Sequence, residues 1–301
     1  MITNEAPLVS IIVATYNSGD TIIDTLNSIN EQTYHNIELI VTDDNSKDKT
    51  CDIVSSWIYE HQNRFISCRL IQSDVNTGVS ANFNRGLKVA KGEWIKPFGG
   101  DDLLFPNYVE TFLLNSSDAD MLLSRLFLFK NDKDIINKGN DLSFVNKQPS
   151  ERIAKYYARI HPFFNVPTIM VKKVTFDIIG YYDEGSPYFE DVPFIMKFFK
   201  ANLKAKYVDE VLVWYRVGGM SHQDSFEKGF RNNKKLADVC ERYLNVNLKW
   251  SNPIDFIVLL NQKLFSYSVN NNSRILYRLL CSRYNFINRI SQSLSLKSLN
   301  R

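Results

Sequence analysis

The sequence predicts an α/β protein, a mainly parallel sheet flanked by helices, with a helical C-terminal extension. Short apolar, β-branched runs alternate with helical stretches through the first half of the chain, the pattern of parallel strands joined by right-handed crossovers. Polar residues collect directly after those runs, at the strand ends where ligands of open α/β sheets bind. Beyond residue 224 the strand-like runs give way to amphipathic helical segments.

The elements follow in order. Leu8–Ala14 reads as a strand buried on both faces, and Thr15–Asp20 supplies turn residues. Asp20 is the expected N-cap of a helix through Ile22, Leu26 and Ile29. Ile37–Thr42 is a second strand, followed by the polar loop Asp43–Asp48 and a helix from Thr50 to His61. Arg69–Gln72 is a third strand, Asn82–Ala90 a helix, and Trp94–Phe98 a fourth strand that ends at Gly99-Gly-Asp-Asp102. Further on, Met121–Phe129 and Thr168–Val171 are strand-like, Asn131–Gln148 is a polar loop, and Pro149–Arg159 is helical. These segments divide the chain into a domain over 1–224, with halves 1–105 and 106–224, and an extension over 225–301.

Composition narrows the function classes. With 301 residues, 44% hydrophobic and 13% aromatic, the chain can bury a core without disulfide staples and is not of disordered type. No apolar run approaches the roughly 18 residues of a spanning helix, and the N-terminus lacks a signal-peptide layout, so the cytoplasm is the expected location. The four cysteines have neither C-x-x-C spacing nor histidine partners, which points to reduced thiols rather than zinc ligands. The net charge of +3 is unevenly spread: residues 250–301 hold seven Lys and Arg against the single acid Asp255. Such a basic, aliphatic tail suits either an anionic surface or an ordinary C-terminal helix that packs its apolar stripe on the body with solvated arginines outside, whereas nucleic acid is disfavoured because the body is acidic and the tail lacks a stacking platform.

Three strand ends carry the candidate chemistry. Asp101 and Asp102 follow two glycines, and carboxylates so placed suit a hard divalent cation, Mn²⁺ or Mg²⁺, when a diphosphate supplies the remaining oxygens; the alternative is a turn whose acids cap the next helix. Asp43-Asp-Asn-Ser46 is either an Asx-turn or a ligand loop. The segment Asn76 to Gly86 matches neither G-x-G-x-x-G nor G-K-[ST], which argues against dinucleotide oxidoreductases and P-loop enzymes. Glu190 and Asp191 sit among aromatic and apolar neighbours that can raise a carboxylate pKa toward a general base's range, or else they cap the helix that follows. Arg216 and His222 are candidate phosphate contacts, with a surface ion pair as the alternative for Arg216.

Taken in order, these segments resemble glycosyltransferase family 2, the inverting nucleotide-sugar transferases of GT-A fold, many of which build bacterial polysaccharides. The resemblance rests on Val9–Asn17, Gln32-Thr-Tyr34, Ile37–Ser46, Asn76–Gly86 with Gly92-Glu-Trp-Ile95, Gly99–Asp102, Gly180–Glu184, Glu190-Asp191 and Tyr215-Arg216. It implies that Thr15, Tyr16, Asn17, Asp43, Asp44 and Asn76 line the nucleotide pocket, with Asp43 accepting from a uracil N–H. It implies Asp101 as ligand of the Mn²⁺ or Mg²⁺ on the donor diphosphate and Asp191 as general base, with Asp102, Glu190, Arg216 and His222 contacting substrate or phosphate.

Three positions depart from the family pattern. Gly99 stands where the first Asp of an Asp-x-Asp motif is common, Phe83 where an Arg often precedes the second helix Asn, and Gly218 where a His often follows Tyr-Arg. The expected activity is transfer from a UDP-sugar to a saccharide or lipid-linked acceptor at the inner membrane face. The departures keep a second reading open, a nucleotide-sugar-binding scaffold without turnover, and strand-end carboxylates also suit a metal-dependent nucleotidyltransferase.

Overall fold

The computed structural model describes residues 6–130, 135–138, 141–160, 164, 166–186, 190–217 and 237–270. Its parallel half is β1 (Val9–Thr15), β2 (Ile37–Asp43), β3 (Ser67–Gln72) and β4 (Trp94–Gly99). The crossover helices are α1 (Ile22–Asn30), α2 (Thr50–His61) and α3 (Val79–Val89). The second half adds β5 (Leu103–Leu104), α4 (Tyr108–Leu114), β6 (Met121–Phe129), β7 (Ile135–Lys138), α5 (Ser150–Ile160), β8 (Met170–Lys172), α6 (Val174–Ile179), α7 (Asp191–Lys200) and β9 (Ala205–Arg216). The nine described strands form one sheet, in the order β3-β2-β1-β4-β8-β6-β9-β5, with β7 on β6. The β1–β2, β2–β3 and β1–β4 pairs are parallel, and β8 runs antiparallel to both β4 and β6.

Alternation along the strands builds a core on each face. Ile11, Val13, Leu39 and Val41 pack with Ile22, Leu26, Trp57 and Phe112 from α1, α2 and α4, whereas Ile12, Ile40 and Ile95 face α3, α5, α6 and α7. Each fully buried aliphatic side chain contributes ~1.5–3 kcal/mol. Helix α3 lies so close to β1 that a Cβ on Gly86 would stand 2.4 Å from Ile12 Cγ2, so the residue must be glycine. Buried Lys96 on β4 ties the two halves together. Its Nζ donates to the Pro167 and Ile169 carbonyls and lies 4.7 and 5.0 Å from the Phe98 and Tyr108 ring centres, and burial holds its pKa well below the usual lysine range.

Several sequence expectations shift. Asp20 does not cap α1: the cap position is Thr21, without a side-chain cap bond, because the turn is closed by Thr21 and Ile22 N–H groups donating to the Ser18 carbonyl. Strand β3 begins two residues before Arg69, carried by its parallel pairing with β2, and α3 begins at Val79, where Gly78 enters it at φ 90°. The stretch read as a polar loop, 131–148, contains β7 and a 3-10 turn at Ser143–Lys147. In the extension, a π-helical turn at Cys240–Leu244 and α8 (Pro253–Asn270) pack Val239, Leu244, Val258 and Leu259 into the α5–α7 core, and Lys155 lies 3.6 Å from buried Asp255. No described helix is long and apolar enough to cross a membrane.

Candidate active site

The strand register sets Thr15 beside Asp43 and Ala14 beside Gly99, so the loops after β1, β2 and β4 form one rim. Asn17 and Asn45 turn two of these loops at φ 49° and 67°, a left-handed conformation that asparagine tolerates better than most residues. The loops are cross-tied: Asn17 N–H donates to Ser46 Oγ at 2.8 Å, and Lys47 N–H donates to Asn17 Oδ1 at 2.8 Å. Asp43, almost fully buried, accepts from the Ser46 N–H and hydroxyl. Thr15 Oγ1 is buried with no hydrogen-bond partner, a polar atom on the rim left for a ligand.

Asp44 is engaged within the protein. Its carboxylate accepts from the Thr77 N–H (3.0 Å), the Thr77 hydroxyl (2.8 Å), the Gly78 N–H (2.7 Å) and Arg85 Nη2. Burial opposes its ionisation, but these donors outweigh burial and hold the pKa below the usual carboxylate range. Asp44 thereby pins the loop that presents exposed Asn76, while Tyr16 is half-buried on the β1 loop.

Asp101 and Asp102 occupy the end of β4. Asp102 Oδ1 accepts the Arg216 N–H at 2.9 Å, and Arg216 Nε donates to the Asp101 carbonyl at 2.9 Å. Burial raises both carboxyl pKa values, and for Asp102 the neighbouring Asp101 charge adds to it. A second buried carboxylate beside Asp101, with an unpartnered hydroxyl at Thr15, is an all-oxygen environment that a hard cation would relieve. Among the described residues no three acidic, histidine or cysteine side chains converge, so the protein alone does not supply a full ligand set for a cation. Arg216 turns its guanidinium to Asp24 on α1, Nη2 to Oδ2 at 3.2 Å, rather than leaving it free for phosphate. His222 lies outside the described residues.

Helix α3 joins this rim to the second carboxylate pair. Asn82 Nδ2 donates to the Thr15 and Thr42 carbonyls, and Arg85 Nη1 donates to the Asp43 carbonyl. Between them, Asn84 donates to the Tyr182 carbonyl and to Glu184 Oε1, and accepts the Tyr182 N–H at 3.0 Å. Glu190 occupies the N-cap position of α7 with helical backbone angles, and Asp191 opens the helix, accepting the Val192 N–H at 2.9 Å. Burial, then the Asp191 charge, pushes Glu190 up to about 7; burial likewise raises Asp191. Both charges raise the pKa of buried Tyr182 beyond the effect of its burial. The sequence reading missed Arg85, Asn84 and Lys96; the signal for the first was its i, i+3 spacing from Asn82 on one helical face.

A mainly parallel sheet flanked by helices, with acidic loops at three strand ends and a buried carboxylate pair at a helix start, is a Rossmann-like arrangement of the GT-A type. The family model described as glycosyl transferase family 2 matches residues 10–175, and the chain belongs to that family. It is 31% identical over 221 residues to an uncharacterized glycosyltransferase of Rickettsia typhi, covering 70% of this chain but only 64% of that protein's length. It is 30% identical over 235 residues to the Escherichia coli UDP-Glc:alpha-D-GlcNAc-diphosphoundecaprenol beta-1,3-glucosyltransferase WfaP, covering 77% of this chain and 86% of that one. The fold matches S. aureus TarS 1-349 in complex with UDP at TM-score 0.60 and 20% identity, over 92% of this chain and 91% of that one. It also matches the Pyrobaculum calidifontis mannosyltransferase PcManGT in complex with GDP-Man and Mn2+, at TM-score 0.56 and 18% identity, over 97% and 85%.

Proposed function

We propose that the protein is an inverting glycosyltransferase that moves a sugar from a UDP-sugar to a saccharide or lipid-linked acceptor in surface-polysaccharide assembly. The observation that carries this reading is the pairing of two buried carboxylate sites through one helix, α3, whose Asn82 and Arg85 hold the donor-side strand ends while Asn84 holds the loop leading to Glu190 and Asp191. Thr15, Tyr16, Asn17, Asp43 and Asn76 form the nucleotide rim, and Asp44 holds the loop that carries Asn76. A divalent cation, when bound by Asp101, neutralises diphosphate charge. Asp191 takes the proton from the acceptor hydroxyl, whose oxygen attacks the anomeric carbon opposite the leaving group; the bond to phosphate breaks and UDP departs with the electron pair. Burial favours this role because a raised carboxyl pKa makes a better proton acceptor.

Phe83, where the family often has an arginine, packs its buried ring 5.6 Å from that of Tyr182 in the core and supplies no such polar contact. Melting temperatures measured with UDP, GDP, dTDP and CMP, each with and without Mn²⁺, test the donor site, because a ligand that binds only the folded state raises Tm. A Mn²⁺-dependent rise with UDP that Asp101→Ala abolishes is expected. No shift with any nucleotide would remove the donor site and leave a scaffold of the same fold.

A further inference from the structure

A cleft of about 790 Å3 opens on the α1 side of the sheet, on the opposite face from α7 and its carboxylates. One wall is the outer face of α1 and its C-cap: Asp24, Asn27, Ser28 and Glu31, spaced i, i+3, i+4 and i+7. The facing wall is aromatic. Phe105 and Trp214 stack with ring centres 5.5 Å apart and planes 6° from parallel, and Phe129 meets Trp214 edge-on at 5.8 Å. Arg216 bridges the walls, its guanidinium 4.6 Å above the Phe129 ring and 3.2 Å from Asp24.

The polar wall is pre-set. Asn27 Oδ1 accepts the Trp57 indole N–H at 2.8 Å, and because that indole can only donate, the amide orientation is fixed and its NH₂ group remains a donor. The side chain of exposed Glu31 makes no hydrogen bond or ion pair with a described residue, so it presents a carboxylate acceptor one turn along from Asn27. The cleft thus sets carboxylate acceptors, an amide donor and a guanidinium against an aromatic wall. Vicinal hydroxyls donate to carboxylates and accept from amide and guanidinium N–H groups, while the C–H face of a pyranose packs on aromatic rings. Anions are disfavoured by the excess of carboxylate over guanidinium, and a purely apolar ligand would bury Glu31 and Asn27 without partners.

We propose that this cleft is a second saccharide-binding site, one that holds uncharged sugar units at a distance from the reacting hydroxyl. Its description as a subsite for an extended acceptor rests on the transferase reading, but saccharide binding there does not. Arg216 also donates to the Asp101 carbonyl, so an occupied cleft lies one side chain away from the donor loop.

The test probes the full chain, fluorescently labelled and free of nucleotide, on an array of immobilised oligosaccharides of neutral hexoses, N-acetylhexosamines, amino sugars and uronic acids. Neutral glycans are expected to bind and uronic acid glycans to be rejected. Binding should fall at least tenfold in Asn27→Asp, which keeps an acceptor for the Trp57 indole N–H but loses the amide donor, and in Glu31→Gln, with the UDP-induced shift unchanged in both, and should survive in Asp191→Asn. Binding to no glycan, only to amino sugars, or only to uronic acids would overturn the proposal, as would binding insensitive to both cleft variants. Loss of the UDP response with glycan binding intact would instead count against the transferase reading alone.

Discussion

Asp191 differs from a surface aspartate in burial and in its neighbour Glu190, whose carboxyl is pushed up to about 7. Asp191→Asn keeps shape and loses the base, so kcat should fall ~10²–10⁴-fold, with UDP binding retained, as read by turnover and thermal shift. If Asp191 acts as the proposed base, the pair must lose protons first, so kcat/KM should climb as pH rises toward neutrality and level off above it. Stability moves the other way. Between 4.5, the ordinary Glu value, and about 7 the folded chain keeps a proton that the unfolded chain has released, so Glu190 costs stability as pH rises through that window. Glu190→Gln should therefore raise Tm at pH 8 and leave it nearly unchanged at pH 4, where Glu190 is protonated in both states; an equal rise at both values would mean that Glu190 does not titrate as described.

At the scale of elements, the extension reaches the turn before Glu190 and Asp191 directly. Arg242, on the π-helical turn, lies 3.2 Å from Asp183 and donates to Ser186 Oγ at 3.0 Å, while the Tyr243 hydroxyl donates to Asp183 Oδ2 at 2.8 Å. Burial raises the Asp183 pKa, but the Ser186 and Tyr243 hydroxyls, the Gly185 N–H and the Arg242 charge together outweigh it and hold the carboxyl below the usual range. The clamped turn, Asp183–Ser186, follows directly on Tyr182, which Asn84 holds from α3. Removing the clamp with Arg242→Ala should lower kcat severalfold and change KM for the donor little, while a partly exposed ion pair of this kind costs only ~1 kcal/mol of stability. Steady-state kinetics with donor and acceptor varied separately would show this, and an unchanged kcat would reduce the clamp to a packing contact.

At the scale of the whole molecule, the extension also presents an outward apolar stripe. Phe256, Leu260 and Leu264 on α8 are 43–45% exposed at four-residue spacing, and Trp250 lies beside them with Lys263 above its ring at 5.1 Å. Together with the positive charge that the sequence carries over residues 250–301, this stripe gives the expected contact with an anionic membrane a specific test. Sedimentation with phosphatidylglycerol vesicles should recover the protein at low salt, phosphatidylcholine vesicles should not, and Leu260→Glu with Leu264→Glu should weaken recovery about tenfold or more. Recovery unaffected by that double variant would move the contact elsewhere.

Much was legible in the chain because local rules decided it. The apolar runs that became β1, β2 and β4 are buried on both faces, so hydrophobicity alone marked them, and turn residues marked the loops where Thr15, Asp43 and Asp101 stand. Strand β3 reads short in sequence because its first residues are extended by pairing with β2, and Asp20 reads as a cap because local propensity cannot see which donors a turn already satisfies. The order of the motifs by itself determined the family and the identities of the two carboxylate pairs. Only the tertiary structure decided what those groups face. Asp44 became a pin for the next loop and Arg216 turned to Asp24. Lys96 disappeared into the core, and residues from α1, β5, β6 and β9 met around one cleft. Each of these outcomes depends on partners distant in sequence, where burial and hydrogen-bond satisfaction, not spacing along the chain, fix the result.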